Sequence, residues 1–180
     1  MSSTRARTTL IALLLSAASA LGACGGGGDS GAEKDSGPTR PEYIAQVDKL
    51  CAKVTKASQP TNRKLQALVN GTGTFSSRLK KSTPLLEKTY DLQKGKLEDV
   101  RAVPAPKKDR AQIDEVLATG SKALEEFKRG IPIARRGDLK NFIDIAFDAN
   151  GTRAKAERLG TTYGFAADCF RIPIELDDLS

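Results

Sequence analysis

The chain has no histidine and no tryptophan, and its 180 residues include one methionine and three cysteines. Without histidine there is no base for a Ser-His or Cys-His nucleophile pair. Nor can the chain build a ferritin-like di-iron site, which needs Glu-x-x-His pairs directed into a helical bundle. No Cys-x-x-Cys occurs, so the usual redox motif is absent. No phosphate loop or dinucleotide fingerprint is present; the glycine run at 25–28 has no strand before it and no helix directly after it. No Ser-x-x-Lys sits in a Gly-rich turn, and the adjacent Lys81 and Ser82 fall in a lysine-rich helical stretch that reads as a solvated face. Aromatic residues make up 5% of the chain, too few to interleave a basic surface as nucleic-acid readers do. Long alternating apolar–polar runs are also missing, which argues against sheet.

The remaining carboxylates give no convincing metal or acid–base site. Glu125 and Glu126 are adjacent, and Asp144 and Asp148 lie four apart on one helical face, where they are expected to meet water. The run Asp148-Ala149-Asn150-Gly151, followed by Glu157, partly matches a calcium loop, but its first position would be Ala146, which supplies no carboxylate. The sequence therefore predicts no enzyme, no metal and no cofactor.

The N-terminus is more informative. Arg5 and Arg7 precede an apolar run from Leu10 to Ala20, the pattern of a secretory signal. The run to Ala23 is about 14 residues, short of the roughly 20 needed to span a bilayer as a helix. It ends in Leu21-Gly22-Ala23-Cys24, which resembles the lipobox of bacterial lipoproteins; Gly22 departs from the commoner Ala or Ser. That resemblance implies cleavage after residue 23, acylation of Cys24 and anchorage at the outer face of the cell membrane, with two or three acyl chains holding stably. Residues 24–40 are Gly-rich without apolar periodicity and read as a tether with a root-mean-square span of about 20–24 Å. Residues 41–180 remain as one helical domain of ordinary size.

With Cys24 assigned to lipid, Cys51 and Cys169 are left as a pair in an exported protein. A bridge between them would close a loop of over 100 residues and contribute roughly 4–5 kcal/mol in the chain-entropy account. Four segments show helical periodicity. The first runs from about Pro41 to Lys56, with Leu65, Leu68 and Val69 extending it after an interruption at Gln59-Pro60. The second runs from Phe75 to Val103, with a kink or restart expected at Pro84. The third runs from Lys107 to Arg136, its end bent or frayed by Gly130 and Pro132. The fourth runs from Leu139 to about Leu159, weakened at Asn150-Gly151. Gly120 falls on the apolar face of the third, where a neighbouring helix can approach. The expected fold is all-α, an antiparallel four-helix bundle with one disulfide joining the first helix to the C-terminal end.

Tyr43-Ile44-Ala45-Gln46-Val47-Asp48-Lys49-Leu50-Cys51, answered downstream by Tyr163-Gly164-Phe165-Ala166-Ala167-Asp168-Cys169, is similar to a broad group of small exported actinobacterial proteins. Many of these carry a lipobox and a Gly/Ser-rich linker. The resemblance implies fold and location and supplies no active site.

The net charge is +7, unevenly spread: between Lys53 and Lys108 thirteen Lys and Arg face four Asp and Glu. In an extracytoplasmic setting the expected counterparts are anionic lipid or acidic wall polymer, or an envelope protein, and no nucleic acid. The contact residues predicted from this region are Arg78, Lys80, Lys81, Lys88, Lys94 and Lys96. The leading functional expectation is a non-enzymatic binding or scaffolding module; the alternative is a carrier of a small apolar or lipid ligand in the bundle core, with room left by Gly120 and Pro84.

Overall fold

The computed structural model describes residues 37–146 and 151–174. The expected signal segment 1–23, Cys24 and the tether up to residue 36 lie outside the described residues, as do Phe147, Asp148, Ala149 and Asn150. Among the described residues the fold is all helical: α1 (Arg40–Val69), α2 (Phe75–Ala102), a 3-10 turn (Lys107–Asp109), α3 (Arg110–Arg136), α4 (Leu139–Ala146) and α5 (Thr152–Tyr163).

Local sequence sets the helix ends. Thr39 and Glu42 form a capping box, Thr39 Oγ1 accepting from the Glu42 N–H and the Glu42 carboxylate from the Thr39 N–H at 2.8 Å. Helix α1 thus begins one residue before the expected domain boundary. Gly137 and Gly164 close α3 and α5 at positive φ, 77° and 114°, conformations that cost other residues. Asp138 then accepts from the Asn141 N–H and starts α4.

The prolines do not break the helices as expected. Pro60, Pro84 and Pro132 lie inside α1, α2 and α3. All three are exposed. Each removes one backbone donor on the outer side of its helix, where the loss is best tolerated. Helix α3 likewise runs past Gly130, because Gly130 is buried against Phe142 and Ala146 of α4. Where one fourth helix was expected, two elements are described, α4 ending at Ala146 and α5 starting after Gly151.

Cross-helix pairs fix the relative directions. Arg135 meets Glu87 while Arg101 donates to Ser121, linking α2 and α3. Lys155 meets Glu115 at 3.2 Å, Thr152 donates to Glu126 at 2.9 Å, and Tyr163 donates to Asp109 at 2.9 Å. In these pairings numbers rise on one helix as they fall on the other. Helix α3 lies against α2, α4 and α5, while α1 packs on α2.

The C-terminal segment fills the space between the helices. Phe165, Cys169, Phe170, Ile172 and Ile174 are all buried. Cys51, on the buried stripe of α1, is disulfide-bonded to Cys169 with Cα atoms 5.0 Å apart. Tyr43, Tyr163, Phe165 and Phe170 form a run of edge-on and tilted rings, 4.8 Å between the closest centroids. Gly120 admits the ring of Phe170, along with Leu97 of α2, rather than receiving a helix alone. A Cβ at Gly160 would stand 2.7 Å from the same ring.

Gly160→Ala is therefore expected to destabilise the fold by about 1–3 kcal/mol through overpacking. Gly95→Ala on α2, where a Cβ meets nothing within 4 Å, is expected to stabilise it by about 0.5–1 kcal/mol. Urea unfolding midpoints check both; a Gly160→Ala chain as stable as the parent would show that Phe170 is not held as described.

Candidate functional site

The structure scatters the six basic residues selected from the sequence. Lys80, Lys81 and Lys88 are exposed on α2. Lys94 is exposed but stands 3.8 Å from Glu98. Glu87 and Asp91 share the same outward side of α2, so this face carries mixed charge. Arg78 is half-buried: its Nη1 donates to the Gly71 carbonyl, and its guanidinium lies 4.7 Å from the Phe75 ring centroid.

Lys96 is no surface residue at all. It is 5% exposed and its ammonium donates to the carbonyl of Cys169. Burial pushes it down to about 8, with the nearby Asp168 opposing. Helical spacing explains the error: Lys96 lies on the same stripe as Thr89, Gln93 and Val100, all buried. Net charge along a segment carries no information about which face each charge occupies.

A more uniform basic surface lies on α1. Lys49, Lys53, Lys56, Arg63 and Lys64 are all exposed. At 100° per residue they fall within an arc of about 100°, over a length of about 22 Å. From Lys49 to Leu86 the sequence contains no Asp or Glu. Among the described residues none of the five is ion-paired with a carboxylate. The acid-free run was the signal in the sequence; placing it on one face required knowing that α1 continues through Pro60.

A cavity of about 260 Å³ sits where the C-terminal half of α1 meets the start of α2, α4 and the 168–174 segment. Its wall is largely apolar, with Leu65, Leu79, Leu86, Phe142 and Ile174 prominent. Asn62, Ser82, Arg78, Asp168 and Arg171 supply polar groups. Asp168 accepts from Thr55 Oγ1 at 3.2 Å. Three buried side-chain polar atoms among the described residues have no hydrogen-bond partner: Asn62 Oδ1, Arg78 Nε and Thr83 Oγ1. The first two belong to this wall. A more open depression of about 360 Å³, lined by Tyr43, Val100, Val103, Ile113 and Leu117, contains neither. The space is therefore not where Gly120 or Pro84 suggested; Phe170 fills the first and the second is exposed.

No group of three or more His, Cys, Asp or Glu side chains that could hold a metal occurs among the described residues. None of their helices is long and apolar enough to cross a membrane. The chain matches no family model, no curated protein and no solved structure.

The folded-state value of Lys96 lies below the ordinary lysine value of 10.5, so the native chain sheds this proton before the unfolded chain does. Stability should then climb as pH rises through about 8 towards 10.5, because the unfolded state binds more protons there. Lys96→Met should flatten that climb. Urea midpoints at pH values on either side of the shifted value measure it; identical slopes in parent and variant would show that Lys96 is charged equally in both states.

Proposed function

We propose that this chain is a lipid-anchored envelope protein, held at the outer face of the membrane by Cys24 and acting as a non-enzymatic binding module. The observation that carries this reading is the outward face of α1, where five cations share one side with no carboxylate among them. Such a face attracts a polyanionic surface, either lipid headgroups or an acidic wall polymer, with an attraction that salt screens.

The helices support a reading as an antiparallel four-helix bundle in which α4 and α5 together take the fourth place. Membership of the exported actinobacterial group belongs to the same proposal and rests on the Tyr43–Cys51 and Tyr163–Cys169 segments. The second reading, a carrier of a small ligand, is favoured by the cavity at Arg78.

Two measurements test the leading reading. The mass of chain extracted from envelopes should show residue 24 as the first residue and carrying acyl groups; an unmodified Cys24 would remove the anchor. The processed chain, residues 24–180 made without acylation, should sediment with vesicles rich in phosphatidylglycerol or with acidic wall fragments, and lose this binding in high salt. Reversal of Lys53, Lys56, Arg63 and Lys64 to Glu should weaken it at least about tenfold, given roughly 1 kcal/mol per basic residue near an anionic surface. Reversal of Lys81 and Lys88 should weaken it less. Equal losses from the two sets would deny α1 its special place.

A further inference from the structure

The cavity contains a group prepared for an anion. Arg78 is fixed on two sides: Nη1 is taken by the Gly71 carbonyl and the guanidinium plane rests over Phe75. Its remaining edge, Nε with Nη2, is the side-on pair of N–H donors that matches the two oxygens of a carboxylate. Nε is buried and has no hydrogen-bond partner among the described residues. A buried guanidinium donor left unpaired is costly, which favours an acceptor beside this group. Asp168, which lines the same cavity, is engaged by Thr55.

Next to this head site the wall turns apolar through Leu65, Leu79, Leu86 and Phe142. The volume of about 260 Å³ lies just below the range of roughly 300–1,000 Å³ usual for drug-sized ligands. That suits one acyl chain and not a two-chain lipid.

We propose that this cavity binds a single-chain amphipathic carboxylate, its head paired with the Arg78 guanidinium and its chain laid against the apolar wall. The proposal deepens the carrier reading and rests on it. It is independent of the α1 face, so charge reversal there leaves it untouched.

Calorimetric titration of the processed, unacylated chain (residues 24–180) with dodecanoate and with dodecanol tests it. Dodecanoate is expected to bind one per chain, about tenfold or more tighter than dodecanol, the worth of a charge-assisted bond. Arg78→Met should erase that preference and leave the affinity for the alcohol in place. Because Arg78 also holds the Gly71 turn, Arg78→Lys provides a second variant, keeping the charge but losing the paired donors; an intermediate preference is expected. Ser82→Leu, which puts bulk into the cavity, should weaken both ligands. Equal binding of acid and alcohol by the parent chain would overturn the anion site while leaving a carrier standing. No binding of either would overturn both readings. Unchanged binding in Ser82→Leu would place the ligand elsewhere and overturn the assignment.

Discussion

A short irregular segment, Phe165–Ile174, stands where the helices meet, and its backbone sets the problem the rest of the fold solves. Backbone N–H and C=O groups removed from water must find partners, and the turns within this segment pair only some of them. Long polar side chains reach in from the helices instead. Asp48 of α1 accepts from the Ala166 N–H at 2.9 Å, Lys96 of α2 donates to the Cys169 carbonyl, and Arg153 of α5 donates to the Ile172 carbonyl at 2.9 Å. Arg40, at the head of α1, donates to the Tyr163 carbonyl and lies over its ring at 4.3 Å. The disulfide adds a covalent tie at the same place.

That arrangement explains why a lysine is buried. Lys96 loses hydration, and its affinity for a proton falls accordingly, but a neutral apolar residue would leave the Cys169 carbonyl without its donor. The same segment reaches beyond the ring of Phe170, which sits against Gly120 and Gly160, to Ile174, which closes one side of the cavity. The clasp between chain ends and the wall around the candidate ligand site are therefore one structure. Tyr163 belongs to it too: burial and its bond to Asp109 raise its phenol well above the ordinary range.

Much of this was legible in the sequence because it depends on local chemistry. Gly137 with Asp138 and the stripe Ile113, Val116, Leu117, Leu124, Phe127 each carry their conformation in their own spacing. The pairing of Cys51 with Cys169 was legible by elimination. What went wrong required knowing which way a residue faces. Pro60 and Pro84 signal interruption in a sequence, yet both sit exposed within helices that run on past them. Gly130 signals weakness but marks a close helix contact. Lys96 and Lys94 are two residues apart and identical in kind; one is buried and the other solvated.

The sequence by itself determined that the described part of this chain is helical, where its helices are capped and which two cysteines join, because periodicity, turn chemistry and cysteine count act over short range or by simple exclusion. Only the tertiary structure decided that five cations share the outer side of α1 and that Arg78 stands in a cavity wall with one edge unpaired. Facing is a property of packed helices: a residue's charge is written in the chain, but its dielectric surroundings and its partners are set by whatever distant segment folds against it.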